Sequence, residues 1–101
     1  MILTITNVEV ADIPGALVVH PDGRLEHIPN PTRDRVLQAI EPRGEDWGIL
    51  EMGHLPGCGR LCYWSRFAES FGPENPLLTN WLGRPIYGTV VVLDEDLEEV
   101  E

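Results

Sequence analysis

The stretch "NPLLTNWLGRPIYGTVVVL", residues 75–93, carries the strongest structural signals in this chain of 101 residues. Its first half predicts a helix, because Asn75 can cap it, Pro76 suits its first position and Gly83 suits a left-handed C-terminal cap. Its second half predicts a strand that is apolar on both faces, as is typical of the interior of a covered sheet. The two faces carry Ile86, Val90 and Val92 on one side and Tyr87, Val91 and Leu93 on the other.

A predicted β-hairpin lies upstream, in "ALVVHPDGRLEHI", residues 16–28. Pro21-Asp22-Gly23 suits a three-residue loop with Gly23 in the left-handed region, which would pair Val18 with Glu26. We expect one face of this hairpin to be apolar and the other to be solvated. The core face would carry Leu17, Val19 and Leu25, and the solvated face His20, Arg24 and Glu26.

The remaining segments complete an α+β pattern. Strands are predicted at 2–9, 47–52 and 60–64, and a short helical segment, capped by Ser65, at 65–72. Residues 30–42 predict a helix capped by Asn30 that buries Val36, Leu37 and Ile40. We therefore expect a single α+β domain over residues 1–93, with a mainly antiparallel sheet of about five or six strands and two or three short helices. Residues 94–101 would form an acidic C-terminal tail.

The charge of the chain restricts its partners. The formal net charge is −10, and six of the seventeen acidic residues lie in the last eight positions. Such a charge disfavours nonspecific binding to nucleic acid or to anionic membranes and favours basic partners. All seven basic residues are arginine, which is typical of GC-rich coding. No apolar run reaches the ~18 residues of a membrane span, and the N-terminus lacks a signal-peptide pattern, so we expect a cytoplasmic protein.

A metal site and an enzyme are both disfavoured. His54, Cys58 and Cys62 are spaced four residues apart, but structural zinc needs four ligands and the chain has no Cys-x-x-Cys pair. We expect free thiols and no cofactor, with a Cys58–Cys62 disulfide and a zinc site completed by another histidine as alternatives. The chain also lacks a P-loop, a dinucleotide fingerprint and a serine elbow, which argues against catalysis.

Aromatic residues and arginines crowd the second half of the chain. These two residue types are enriched in binding hot spots, and they also stack on nucleobases and grip phosphates. The alternative is that the rings are simply core. Consecutive residues of a strand point to opposite faces, so we expect one of Tyr63 and Trp64 to be on a surface or at an interface. The candidate binding residues are Arg60, Tyr63, Trp64, Arg66, Trp81, Arg84 and Tyr87.

The acidic tail permits a second binding hypothesis. Its carboxylates could imitate DNA phosphates, although six charges are few beside a duplex with one charge per ~1.7 Å. The alternative is a solvated tail without a partner. The acidic patch consists of Asp94, Glu95, Asp96, Glu98, Glu99 and Glu101.

The C-terminal stretch resembles a family of small domains of unknown function from actinobacteria, other Gram-positive bacteria, and their phages and plasmids. The pattern is Asn-Pro, a threonine, and then "G-x-P-I-x-G-x-V-V-V". The resemblance implies a small α+β domain, often on mobile elements, and no catalytic residues. We therefore expect an accessory protein that inhibits or sequesters a host or defence component through protein contacts, with nucleotide sequestration or DNA mimicry as alternatives. The matching positions are Asn75, Pro76, Thr79, Gly83, Pro85, Ile86, Gly88 and Val90 to Val92.

Overall fold

In the described part of the chain, five antiparallel strands form one sheet and two helices pack on it. The computed structural model describes residues 15–40, 50–55, 60–68 and 72–94. The sheet order is β2-β1-β5-β4-β3, with all described pairs antiparallel, so the predicted α+β class is confirmed. The predicted strand at 2–9, Cys58 and the tail beyond Asp94 lie outside the described residues. The elements are β1 (Ala16–Val19), β2 (Leu25–Ile28), α1 (Arg33–Ile40), β3 (Leu50–His54), β4 (Leu61–Ser65), α2 (Pro76–Leu82) and β5 (Val90–Leu93).

The hairpin of β1 and β2 has the predicted register and turn. Val18 pairs with Glu26, and Gly23 has a φ of 90°, a value that glycine adopts without a Cβ penalty. The amide of Gly23 donates to the carbonyl of His20 over 3.0 Å, which closes the turn. The expectation that only one face of β1 is buried is wrong, because all its residues are buried. β1 lies between β2 and β5, and both of its faces are covered.

The core has two layers, one on each side of the sheet. On one face, which we call the α2 face, Leu78 of α2 packs over the strands; on the other, the α1 face, Val36 and Ile40 of α1 do so. β5 contributes to both layers, so its predicted interior position is confirmed. The strand residues of the α2 face are Leu17, Val19, Cys62, Trp64, Val90 and Val92, and those of the α1 face are Ala16, Val18, Ile28, Tyr63, Val91 and Leu93.

Helix α1 begins two residues later than its predicted cap implies. Thr32, not Asn30, precedes the helix, and its Oγ1 accepts a hydrogen bond from the amide of Arg35 over 3.2 Å. A threonine hydroxyl there satisfies an amide that has no partner within the helix. Leu37 is only half-buried, because the face turned to the sheet is defined by Val36 and Ile40.

The predicted caps of α2 are confirmed. The Asn75 side chain accepts from the amide of Leu78, and Pro76 occupies the first turn. Gly83 ends the helix in the left-handed conformation, with φ 73° and its amide donating to the carbonyl of Thr79. Ser65 is the last residue of β4, and its Oγ accepts a hydrogen bond from the backbone amide of Phe67 over 3.2 Å.

Strand β3 extends further along the chain than predicted. Its described part, Leu50–His54, includes Gly53 and His54, which we expected in a glycine-rich loop. The predicted strand positions 47–49 lie outside the described residues. Gly53 fits a strand here because it pairs with Cys62 beneath the Trp64 ring. Among the described residues, no helix is long and apolar enough to cross a membrane.

Candidate binding cleft beside Arg84

The buried side chain of Asn75 fixes the segment that leads into β5. Its Nδ2 donates to the carbonyl of Val19 over 3.0 Å and to that of Gly88 over 2.9 Å. Its backbone amide donates to the carbonyl of Ile86 over 2.7 Å. One fully buried residue therefore joins β1, α2 and the approach to β5. The sequence pattern predicted Asn75 as a helix cap only, because its long-range partners leave no local signal.

Thr79 and Gly88 complete this scaffold. Thr79 Oγ1 accepts from the amide of Ile86 over 3.0 Å, a second link between α2 and the segment after it. Gly88 has a φ of 78° and its amide donates to the carbonyl of Pro73 over 2.8 Å. A Cβ on Gly88 would lie 2.9 Å from that of Ala68, so glycine is needed for both conformation and space.

A cleft of about 190 Å³ opens beside this scaffold. It brings together four of the seven candidate residues, which come from the end of β4 and the segment before β5. Arg84 is exposed and Tyr87 is half-buried, whereas the neighbouring scaffold residue Ile86 is buried. The cleft is lined by Glu51, Trp64, Ser65, Arg66, Arg84, Pro85, Ile86 and Tyr87.

Trp64 forms the floor beneath Arg84. Its ring lies over Gly53, where an added Cβ would come within 3.1 Å of the indole. The guanidinium carbon of Arg84 lies 5.3 Å from the ring centroid, within the range of a cation–π interaction. Trp64 is 7% exposed, so it supports the cleft mainly by holding Arg84 in place.

The two arginines of the cleft have different surroundings. Arg66 Nε lies 3.8 Å from a carboxylate oxygen of Glu51, and both side chains are 49% exposed. Such an exposed pair contributes ~0–1 kcal/mol to stability. Within the described part of the chain, no carboxylate forms an ion pair with Arg84. The cleft therefore offers guanidinium donors beside an aromatic floor.

The other three candidates lie elsewhere. Tyr63 is buried on the α1 face, Trp81 packs against the core from α2, and Arg60 lies 3.9 Å from Asp94. The expectation that Tyr63 or Trp64 is on a surface is wrong, because both are at least 93% buried. β4 lies between β3 and β5 in a sheet that is covered on both faces. The side chains of Tyr63 and Trp64 do point to opposite faces, but each of those faces is packed against a core layer.

Because Trp64 is buried, replacing it should strongly reduce the stability of the domain. Trp64→Ala should lower the free energy of unfolding by ~3–5 kcal/mol, because it empties a packed site under Arg84 and over Gly53. Urea denaturation followed by circular dichroism measures this loss. Arg84→Ala serves as the control and should cost under ~1 kcal/mol, since Arg84 is exposed. Equal stability of Trp64→Ala and wild type would contradict the assigned packing.

Two possible metal ligands that the structure describes, His54 and Cys62, do not point to a common site. Cys62 is fully buried, and its thiol donates to the carbonyl of Gly53 over 3.4 Å. His54 is exposed and pairs with Leu61, so its side chain lies on the opposite face from that of Cys62. No group of three His, Cys, Asp or Glu side chains within the described ranges could hold a metal ion. Cys58 lies outside those ranges.

A larger cleft, of about 310 Å³, lies between the hairpin turn and α2. It is lined by residues 20–23 and 75–77 together with Asn80. The amide group of Asn75, its buried polar lining, is engaged with Val19 and Gly88. The Arg84 cleft instead presents charged donors toward solvent, and we take it as the candidate site.

Asp94, the first residue of the predicted tail, has defined contacts. Its Oδ2 accepts from the amide of Gly15 over 3.1 Å and lies 3.9 Å from Arg60 Nη1. A truncation that tests the tail therefore starts at Glu95. We expect deletion of 95–101 to leave the free energy of unfolding unchanged or slightly raised, because it removes five mutually repelling carboxylates.

Asp94→Ala is the companion variant and should cost ~0.5–1.5 kcal/mol, since the Gly15 amide loses its acceptor. Thermal unfolding of both variants measures the difference. A fall of the melting temperature on deleting 95–101 that exceeds the fall in Asp94→Ala would show that the tail is docked. Against a DNA-processing enzyme, loss of inhibition on deletion would support DNA mimicry.

Comparison of the chain with protein-family models, with curated proteins and with solved structures found no match. The resemblance drawn from the C-terminal pattern stays a prediction. The described contacts do give that pattern a physical meaning, because Asn75, Thr79, Ile86 and Gly88 are all engaged in the scaffold. The positions between them include Arg84 and Tyr87, which line the cleft.

Proposed function

We propose that the protein is a non-enzymatic, cytoplasmic binding protein that acts through protein–protein contacts centred on the Arg84 cleft. The observation that supports this most is the cation–π contact of Arg84 with Trp64, with Arg66 and Tyr87 in the same cleft. Arginine and aromatic side chains are over-represented in interface hot spots. A guanidinium held over a ring is restricted before a partner arrives, so binding costs less conformational entropy.

An exposed apolar side chain favours a macromolecular partner. Phe67 is 52% exposed and follows Arg66 directly. A large apolar residue next to a charged cleft adds to the area that a protein interface buries. We take the binding surface to be the Arg84 cleft together with Phe67. Met52 is also exposed, but it pairs with Tyr63 and so lies on the opposite face of the sheet from Glu51 and Trp64.

We further propose an accessory role, in which the protein inhibits or sequesters a host or defence component on behalf of a phage or mobile element. The resemblance in the C-terminal stretch and the absence of catalytic motifs from the sequence support this role. The net charge of −10 supports a partner that is a protein over one that is nucleic acid.

The cleft is a poor match for the alternative of nucleotide sequestration. Its volume of about 190 Å³ is below the ~300–1,000 Å³ of typical ligand pockets. The Trp64 ring is covered by Arg84 and Gly53, which occupies the faces on which a base would stack.

Partner capture with matched variants tests the proposal. Tagged wild type, Arg84→Ala, Phe67→Ala and the control Arg24→Ala are incubated with a lysate of the organism that encodes the protein. Arg24 is an exposed hairpin residue whose Nε lies 3.9 Å from a carboxylate oxygen of Asp22. Like Arg66 it has an exposed acidic neighbour, but it lies away from the cleft. We expect one partner to be retained by wild type and Arg24→Ala and lost by Arg84→Ala and Phe67→Ala.

Calorimetry of wild type with nucleotides is the second arm and should show no binding heat. Retention of every partner by Arg84→Ala and Phe67→Ala would contradict the proposal. Nucleotide binding that disappears in Arg84→Ala would replace it with ligand sequestration.

A further inference from the structure

We infer that the Arg84 cleft recognises a carboxylate side chain of the partner, an Asp or Glu beside an apolar residue; this rests on the proposed binding function. Arg84 lies over Trp64 with 5.3 Å between its guanidinium carbon and the ring centroid. A cation–π contact uses the positive charge of the guanidinium and does not require its five N–H donors to form hydrogen bonds. Arg84 therefore keeps hydrogen-bond donors for an anion.

Arg84 differs from three other arginines in its ionic surroundings. Arg24, Arg60 and Arg66 each lie 3.8–3.9 Å from an acidic side chain of this chain. Arg84 forms no such pair with any acidic residue that the structure describes. Those acids are Asp22, Glu26, Asp34, Glu51, Glu74 and Asp94. An exposed guanidinium held over an aromatic ring, with no carboxylate partner in the described part of the chain, is suited to an external carboxylate.

Arg66 supplies a second set of donors in the same cleft. Its Nε side lies toward Glu51, and a guanidinium has five N–H donors, so one ion pair leaves several available. A carboxylate between Arg66 and Arg84 would accept charge-assisted hydrogen bonds, including the two-point contact that guanidinium and carboxylate geometry allows.

The composition of the cleft favours a carboxylate over a phosphate group. Glu51 lines the cleft with the two arginines, so the net charge of the three groups is +1. A singly charged carboxylate balances that charge, whereas a doubly charged phosphate would add repulsion with Glu51. Phe67 is exposed and follows Arg66 in the chain, and we expect it to contact an apolar side chain beside the acid.

The test is an NMR titration of the full ¹⁵N-labelled chain with the capped dipeptide acetyl-Glu-Leu-amide. We expect saturable shifts of the Trp64 indole N–H and the Arg84 Nε–H. Acetyl-Gln-Leu-amide, which has nearly the same shape without the charge, should bind at least tenfold more weakly. Arg84→Lys should weaken binding of the Glu peptide at least fivefold, because it loses the planar fork, whereas Arg24→Lys should not change it.

Inorganic phosphate at matched ionic strength separates the two anion chemistries. Equal affinities for the Glu and Gln peptides, or saturable binding of phosphate that is tighter than that of the Glu peptide, would overturn the inference. If no peptide shifts these signals but Arg84→Ala still loses the captured partner, carboxylate recognition fails and the proposed binding function stands. If both experiments fail, the binding function fails as well.

Discussion

Val91→Asp is expected to unfold the domain at neutral pH. Val91 is fully buried at the centre of β5, paired with Val18 on one side and with Tyr63 on the other. Its side chain lies in the layer that α1 covers, where no water can solvate a carboxylate. An unpaired buried charge costs at least about 5 kcal/mol, which matches the lower end of the ~5–15 kcal/mol that stabilises a typical domain.

Far-ultraviolet circular dichroism and the dispersion of amide NMR signals measure this loss. Met52→Asp is a matched control, because Met52 pairs with Tyr63 on the same face but is 46% exposed. It should shift the free energy of unfolding by under ~1 kcal/mol. Val91→Ala should cost ~2 kcal/mol and stay folded. A folded Val91→Asp with native signals would contradict the interior position of β5.

Asn75→Asp is expected to destabilise the domain nearly as strongly, although the two side chains have almost the same shape. The carboxylate could still accept from the Leu78 amide, so the helix cap survives. It cannot donate to the carbonyls of Val19 and Gly88, which the Nδ2 atom now contacts at 3.0 and 2.9 Å. One buried and one partly buried carbonyl oxygen would face a negative charge, and we expect a loss of ~4 kcal/mol or more.

The loss should depend on pH in a defined direction. Burial and the two carbonyls raise the pKa of the introduced carboxyl in the folded state above the ~3.9 of an unfolded aspartate. The protonated form can donate one hydrogen bond, so the deficit relative to wild type should be smallest below pH ~4. It should grow as the pH rises through the folded-state pKa and then stay constant.

Urea denaturation of wild type and variant at several pH values measures that difference. Asn80→Asp, an exposed change in the same helix, is the control and should show no comparable pH-dependent deficit. A stability of Asn75→Asp within ~1 kcal/mol of wild type at pH 7 would contradict the hydrogen-bond network.

The sequence correctly predicted the hairpin turn and the ends of α2, because these depend on interactions between residues that are close together in the chain. Pro21-Asp22-Gly23 specifies its own turn, and the Asn75, Pro76 and Gly83 positions specify the limits of α2. The two-sided burial of β1 and β4 was not predicted, because it depends on sheet order and on which helix covers which face. Those are long-range properties that neither strand encodes by itself.

The candidate site was only partly predictable for the same reason. Composition identified arginines and aromatic residues as a group, but only the fold separates Trp64, Arg66, Arg84 and Tyr87 from the rest. The sequence suggested that Trp64 contacts the partner directly. In the structure Arg84 covers Trp64, so Trp64 instead supports the Arg84 side chain. The two hydrogen bonds from Asn75 Nδ2 had no sequence signal, since they reach Val19, 56 residues away, and Gly88.

Isothermal titration of the captured partner with wild type and Arg84→Ala tests the central claim most directly. Removing a hot-spot arginine from a preorganised cleft should weaken binding by ~2 kcal/mol or more, about 30-fold. The melting temperature should stay within ~2 °C of wild type, because Arg84 is exposed. The same dissociation constant for both proteins, with both fully folded, would show that the Arg84 cleft is not the binding surface.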